Sequence, residues 1–343
     1  MKRGMKFGVF DHLDASGAPL AEFYEHRLRL AETYDRIGIH ALHIAEHHAT
    51  PLGMSPSPSV FLSAVAQRTK RLRFGPLVYT LALYHPLRLA DEICMLDHLS
   101  GGRFELGVGR GVSPIEIEYF GFDSAKSQAM YLEAYQVILK AMRERILTFE
   151  GTYYKFKDVP NHFAPLQRPH PPIWYGLSNP ESAEFAADNK FNVVSNAAPK
   201  AVRVITDRYR AAWQKNGNDP ARIPFIGMAR HVVIADTDAE AMRLARRAYA
   251  RWWDGFIFLW RRRGLKPPFT TYTEDFDAVL ANGQAIVGSP ATVRDMIAAQ
   301  ANDAGLNYFL LRFAFGDLTL EESMNSLELF ADKVQPTLEA VPA

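Results

Sequence analysis

The chain has 343 residues, 48% of them hydrophobic and 22% charged, the composition of an ordinary globular protein long enough to bury a large core. Its 39 Lys and Arg against 38 Asp and Glu leave a net charge of +1, so no global basic field favours nucleic acid and no acidic tail is present. The single cysteine, Cys94, excludes an intrachain disulfide or a CxxC site and reads as a small buried residue on a helix. There is no signal-peptide-like apolar stretch near the start and no apolar run of about 18 residues, so the expectation is a cytoplasmic protein that spans no membrane.

In chain order, KFGVF (6–10) reads as a first strand. An amphipathic helix follows over 20–37 and stops at Gly38. IHALHIA (39–45) is the next strand, 58–69 is helical, and LRFGPLVYT (72–80) is a strand. A helix over 87–99 ends at Ser100, Gly101 and Gly102, and RFELGVG (103–109) and 128–147 form the fourth strand and helix. Residues 148–171 contain a hairpin-like FEGTYYKF and a Pro-rich passage, an insertion. PIWYGL (172–177), FNVVS (191–195) and FIGMARHVVIA (225–235) are the next strands, with helices opening at NPES and covering 199–216 and 238–263. Residues 264–288 carry Gly and Pro with weak periodicity, a second insertion, and GSPATV opens a helix with Ser289 as N-cap and Pro290 at its first position. LNYFLLRF (306–313) is the eighth strand and 319–334 the last helix.

Eight nearly continuous apolar strands, each followed by a helix, predict an α/β fold: a (β/α)8 TIM barrel with insertions after strands 4 and 7. The whole chain, 1–343, is expected to form one domain; a doubly wound open sheet is the alternative. In a barrel the chemistry lies at the carboxyl ends of the strands. That places Glu46, His47 and His48 after strand two, Thr80 after strand three, Arg110 after strand four, and Ser178 and Asn179 after strand five.

His43-Ile-Ala-Glu46-His47 matches the zinc pattern H-x-x-E-H, which needs a helix. On a strand four residues span about 13 Å, too far for two imidazoles to share a zinc at about 2.1 Å. No metal site is expected, and His43 reads as a packed residue. Neighbouring strand residues point to opposite sides, so one of His47 and His48 faces the mouth, either for proton transfer or merely bonded to a loop. LGVGRGV (106–112) departs from G-x-G-x-x-G, so it is no Rossmann fingerprint. Its Arg110 suits a phosphate or a solvated turn. The helix start at Ser178 and Asn179 offers either a phosphate cradle or a simple cap. WWDGFIFLW (252–260) reads as core or oligomer packing or as a substrate-pocket wall, and WRRRG (260–264) as a solvated helix end.

Together AEHHATP (45–51), LYHPLRLADEICMLDHLSGGRFELGVGRG (83–111), PPIWYGLSNPES (171–182) and IVGSP (286–290) resemble the bacterial-luciferase-like flavin-dependent monooxygenases, in family order and over nearly the whole chain. The resemblance implies reduced FMN (FMNH2) from a separate NAD(P)H:flavin reductase, O2, a flavin peroxide at C4a, and a small, apolar organic substrate such as an aldehyde or ketone. By position it implies His47 as the catalytic acid–base group; Glu46 and His48, its neighbours in sequence, are expected to hold it in place. It implies Arg110, Ser178 and Asn179 at the flavin phosphate, and Leu77 and Val78 joined by a cis peptide under the isoalloxazine ring. Residues 264–288 would close over the site, and a homodimer is the expected assembly. Light-emitting members carry a reactive cysteine where this chain has Gly109, and Asn179 replaces a hydroxyl residue, so light emission is not implied. The alternatives are a deazaflavin (F420)-dependent oxidoreductase on the same fold and a non-catalytic flavin-binding protein.

Overall fold

The computed structural model describes residues 5–177, 179–267 and 272–339. In chain order the strands are β1 (Lys6–Asp11), β2 (Ala41–Ile44), β3 (Arg73–Pro76), β4 (Tyr79–Thr80), β5 (Leu106–Gly109), β6 (Ile146–Glu150), β7 (Lys155–Pro160), β8 (Ile173–Gly176), β9 (Asn192–Ser195), β10 (Ile226–Ile234), β11 (Ala285–Gly288) and β12 (Tyr308–Arg312). β6 and β7 form a separate antiparallel hairpin inside the first insertion. The remaining strands form one parallel sheet in the order β3-β2-β1-β12-β10-β9-β8-β5-β4, with β11 beside β10.

The two ends of that order, β3 and β4, are halves of one strand interrupted at Leu77 and Val78. A bridge between Phe74 and Phe104 joins β3 to the approach of β5, so the sheet closes into a barrel. Parallel strands need crossover helices, and these cover the outside. The helix Leu20–Ile37, for example, buries Phe23, Leu30, Ala31 and Tyr34 and ends where Gly38 takes a left-handed conformation at φ 81°.

The structure revises several expected boundaries. Residues 264–288 carry structure of their own: the helix Phe276–Ala281 and the short strand β11, which lies off the barrel order and pairs with the far part of β10, His231–Ile234. Four residues are too few to display a period, so IVGSP signals only the helix that follows. Of the segment expected to close over the site, 268–271 lies outside the described residues. The helix expected to reach 147 ends at Arg143, a helix Pro114–Tyr119 is added, and the long helix near 238–263 breaks at Ile257. Among the described residues no helix is long and apolar enough to cross a membrane.

Glycines set the close approach of β3 and β4 to β5. A Cβ on Gly75 would strike the Glu105 carbonyl oxygen, one on Gly107 the Pro76 carbonyl oxygen, and one on Gly109 would stand 2.5 Å from Val78 Cγ2. Backbone cannot step aside as a flexible side chain can. Gly107→Ala is therefore expected to lower unfolding stability by about 2 kcal/mol or more; a urea midpoint unchanged from wild type would show that the two strands can part cheaply.

Alternation along the strands stacks the barrel interior in layers. A middle layer of Phe10, Ala45, Val194, Ala229 and Leu310 packs with Trp174 and Tyr308. Toward the amino-terminal end lies a polar knot. Glu105, 2% exposed, accepts from Arg73 Nε at 2.6 Å and from the Trp174 indole. His43 is fully buried, edge-on to Trp174 at 4.6 Å, and 3.8 Å from Glu105. Burial pushes its imidazole down to about 3, helped by the charge of His40 and then Arg73. It is a packed histidine, and among the described residues no three His, Cys, Asp or Glu gather to hold a metal.

His43 makes stability pH-dependent. An unfolded histidine titrates near 6.5, so as pH falls the unfolded chain takes up the proton first. The contribution is fully present above that value and is lost as pH drops toward about 3. Its slope is at most about 1.4 kcal/mol per unit. Asp14, pushed up to about 7 by burial, works oppositely, losing its contribution as pH rises from the ordinary carboxylate range. His43→Phe is accordingly expected to flatten the dependence of urea-unfolding free energy on pH between 7 and 5 by about one proton. An identical slope in the variant would contradict a neutral His43.

Candidate active site

The same alternation sets a polar layer above the apolar one. Two residues beyond Phe10, Ala45, Ala229 and Leu310 stand His12, His47, His231 and Arg312. His12, His47 and Arg312 stand at or just past the carboxyl ends of β1, β2 and β12, and His231 stands within the long strand β10, so this layer of the barrel mouth is lined by imidazoles and one guanidinium.

His47 is 9% exposed, and its Nδ1 lies 3.1 Å from Glu116 Oε1. The other oxygen of that carboxylate accepts the His48 backbone N–H at 2.8 Å. Glu116 sits on the helix Pro114–Tyr119, which Ser113 caps by accepting from Glu116 N at 3.3 Å. Ser113-Pro114-Ile115-Glu116 is thus a helix-start signature whose acid turns toward His47 instead of back to the cap. A carboxylate at Nδ1 favours the tautomer with the proton there, leaving Nε2 as the nitrogen for proton exchange. His12 stacks on His47 with ring centroids 5.8 Å apart and receives the Trp252 indole N–H at Nδ1, 3.4 Å away. Burial first, then the charges of Arg312 and His47, hold His12 well below the usual histidine range, hence neutral.

Glu46 and His48 do not hold His47. They bind each other, His48 Nε2 to Glu46 Oε1 at 2.8 Å. The second Glu46 oxygen accepts from Thr80 N at 3.1 Å and from the Tyr84 hydroxyl at 2.9 Å. Their role is to tie the end of β2 to the segment after β4. The expectation fails because both side chains turn to each other and away from the ring they flank.

Beside His47 and Glu116 a cleft is walled by Val112, Phe256, Leu259 and Trp260. The aromatic stretch therefore divides its work: Trp252 is fully buried core, whereas Phe256 and Trp260 face the cleft. Arg263 pairs with Glu118 at 2.7 Å and so pins the helix Phe258–Arg262 to the helix that carries Glu116.

Arg110 follows β5, is exposed, and makes no ion pair with any described residue. Tyr175 on β8 feels its charge: burial pushes the phenol up while Arg110 works against it. Asn179 is exposed and caps the helix Glu181–Asp188, its Oδ1 accepting from Ser182 N at 3.0 Å and Ser182 Oγ at 2.9 Å. Ser178 lies outside the described residues. The Leu77–Val78 peptide is cis, and both side chains are half-buried. Gly109 backs onto Val78, and a Cβ on Gly111, at φ 89°, would lie 2.6 Å from Thr80. An exposed guanidinium with no ion pair among the described residues, and two half-buried apolar side chains over bare backbone, fit a flat ring that ends in a phosphate. Glu116 and His12 are the groups that the motifs do not reveal.

A sequence profile of the luciferase-like monooxygenases matches residues 5–308. The uncharacterized protein y4wF of Sinorhizobium fredii is 45% identical over 93% of this chain and 93% of its own. The crystal structure of monooxygenase RslO1 from Streptomyces bottropensis superposes with a TM-score of 0.86 at 30% identity, covering 97% of this chain and 99% of that one. The oxygenating constituent of 3,6-diketocamphane monooxygenase from Pseudomonas putida, a type II Baeyer–Villiger monooxygenase solved with FMN, gives a TM-score of 0.81 at 25% identity over 97% and 98% of the two chains.

Proposed function

Since this chain belongs to the luciferase-like monooxygenase family, we propose that it is the FMN-dependent oxygenase of a two-component system, adding one atom of O2 to a small, apolar aldehyde or ketone. Its reduced FMN comes from a separate NAD(P)H:flavin reductase. The observation that carries this reading is the pairing of His47 with Glu116 in an apolar cleft, on the same barrel mouth as the Arg110 and Leu77–Val78 surface.

Arg110, Ser178 and Asn179 hold the phosphate, and Leu77 and Val78 form the floor beneath the ring. Bound FMN supplies the electrons that activate oxygen, while the protein supplies position, proton traffic and dryness. His47 Nε2 gives and takes the proton at the oxygen atoms of the reactants. Glu116 fixes the ring and balances the imidazolium when it forms. Phe256, Leu259 and Trp260 exclude water from the cleft. Val60, Met95 and Leu99 are at least half exposed on the adjoining helices Pro58–Arg68 and Pro86–Leu99, an apolar face that a second copy would cover in a homodimer.

The reading is tested by supplying photoreduced FMN, ¹⁸O2 and a panel of aliphatic aldehydes and cyclic ketones, each with and without a carboxylate group, with mass spectrometry of the products. One labelled atom per product molecule is expected for at least one compound. If all consumed oxygen emerges as hydrogen peroxide across the panel, the oxygenase assignment fails. Glu116→Gln is expected to lower turnover by about tenfold or more, as loss of a partner that orients a functional histidine does, with FMN affinity within about twofold of wild type. A parallel loss of FMN binding would make Glu116 a cofactor-site residue instead.

A further inference from the structure

Arg312 is the last residue of β12 and is 1% exposed. Its Nη1 donates to the Tyr272 hydroxyl and its Nη2 to Asn196 Oδ1, both at 2.9 Å. The guanidinium lies 4.8 Å from the centre of the Phe10 ring and 5.8 Å from that of Tyr272. Nε has no acceptor among the described residues. Asp11, an acid that feels the charge of Arg312, sits 3.5 Å from Arg27 instead. Both acceptors of Arg312 are thus neutral, and no carboxylate of the described residues forms an ion pair with it.

Taking a guanidinium out of water without a counter-charge is unfavourable, and this barrel does it at the end where ligands bind. The neighbours do not compensate. His12 and His231 are both pushed well below the usual histidine range, by burial first and by Arg312 next. Neither nitrogen of His231 has a partner among the described residues, although the ring is fully buried. The result is a desolvated cation with an idle donor, surrounded by rings.

The position separates this charge from the flavin surface. β12 lies between β1 and β10, three staves from the interrupted β3–β4 strand and four from β5. Arg110 and the Leu77–Val78 floor therefore occupy the opposite side of the mouth. His12 connects the two sides, its ring 4.9 Å from Phe10 and 5.8 Å from His47.

We propose that Arg312 binds a carboxylate on the organic substrate, which the Tyr272 hydroxyl and Asn196 amide oxygen stand in for in the structure. The substrate is then an apolar carbonyl compound carrying an acid group, its anion on the β12 side and its reacting carbon toward His47. A carboxylate matches the planar fork of a guanidinium with two parallel hydrogen bonds, which neutral acceptors on two separate residues do not. This assignment rests on the oxygenase reading for the identity of the substrate, but not for the presence of an anion site.

The test uses the full chain and three carboxylates, benzoate, cyclohexanecarboxylate and 1-naphthoate, each against its own amide. Binding is followed by tryptophan fluorescence, since Trp252 lies 5.2 Å from Tyr272 and 4.5 Å from His231. At least one acid is expected to bind at least about tenfold more tightly than its amide, a discrimination within reach of one charge-assisted fork. Arg312→Met should erase that preference while leaving FMN affinity within about twofold. Tyr272→Phe removes the competing hydroxyl and should tighten the acid; this second variant keeps the test open should Arg312→Met fail to fold. No acid binding better than its amide in wild type overturns the proposal. So does an Arg312→Met protein that binds reduced FMN poorly but keeps its acid preference, because the guanidinium would then serve the flavin. A wild-type protein that prefers the acid but binds no FMN would sink the oxygenase reading and leave the anion site standing.

Discussion

His47→Ala is expected to keep FMN bound within about threefold of wild type and to lower substrate oxygenation by about 10²–10⁴-fold, the usual contribution of a positioned acid–base group. The split follows from the geometry. His47 is held by Glu116 at 3.1 Å and lines the apolar cleft, whereas the surface that suits the flavin phosphate is built from Arg110 and the start of the helix Glu181–Asp188. Deleting the imidazole removes proton transfer and opens a small space, but takes no donor from the phosphate. Oxygen consumption should therefore continue in the variant, with hydrogen peroxide in place of oxygenated product. Glu116, left without its ring, is buried and would be satisfied only by the His48 N–H, so a modest fall in stability accompanies the change. An undiminished product yield from His47→Ala would remove the residue from the mechanism.

Arg110→Ala is expected to weaken FMN by about ten- to a hundredfold and riboflavin hardly at all, because a charge-assisted fork to phosphate is lost and nothing else in the ring's surroundings changes. The exposure of Arg110 makes a second expectation: the FMN preference of wild type should shrink as salt rises, since exposed charges are screened over roughly 8–10 Å at 0.10–0.15 M. Comparable weakening of FMN and riboflavin would place Arg110 away from the phosphate and make its effect one of loop structure.

The barrel was legible because buried parallel strands read as apolar runs and their helices end at recognisable stops such as Gly38. The rule that barrel chemistry lies after the strands then directs attention to His47 and Arg110. Glu116 was not legible. It reaches His47 across 69 positions of chain, and its S-P-x-E context announces a helix start without saying where the acid points. Glu46 and His48 look like supports because they flank His47 in sequence, yet their side chains bond to each other and to the segment after β4. Strand β11 escaped because four residues carry no period, and Arg312 because an arginine that ends a strand looks solvated until the fold covers it.

The proposed function stands on control of the reaction of reduced FMN with oxygen by this chain. The most direct measurement is stopped-flow mixing of photoreduced FMN, pre-equilibrated with excess protein, with oxygenated buffer, following flavin absorbance to full reoxidation. At least two separated phases are expected, the last much slower than reoxidation of free reduced FMN and accelerated by a compound that is oxygenated. A single phase at the rate of free FMN, unchanged by protein concentration, would contradict the proposed function.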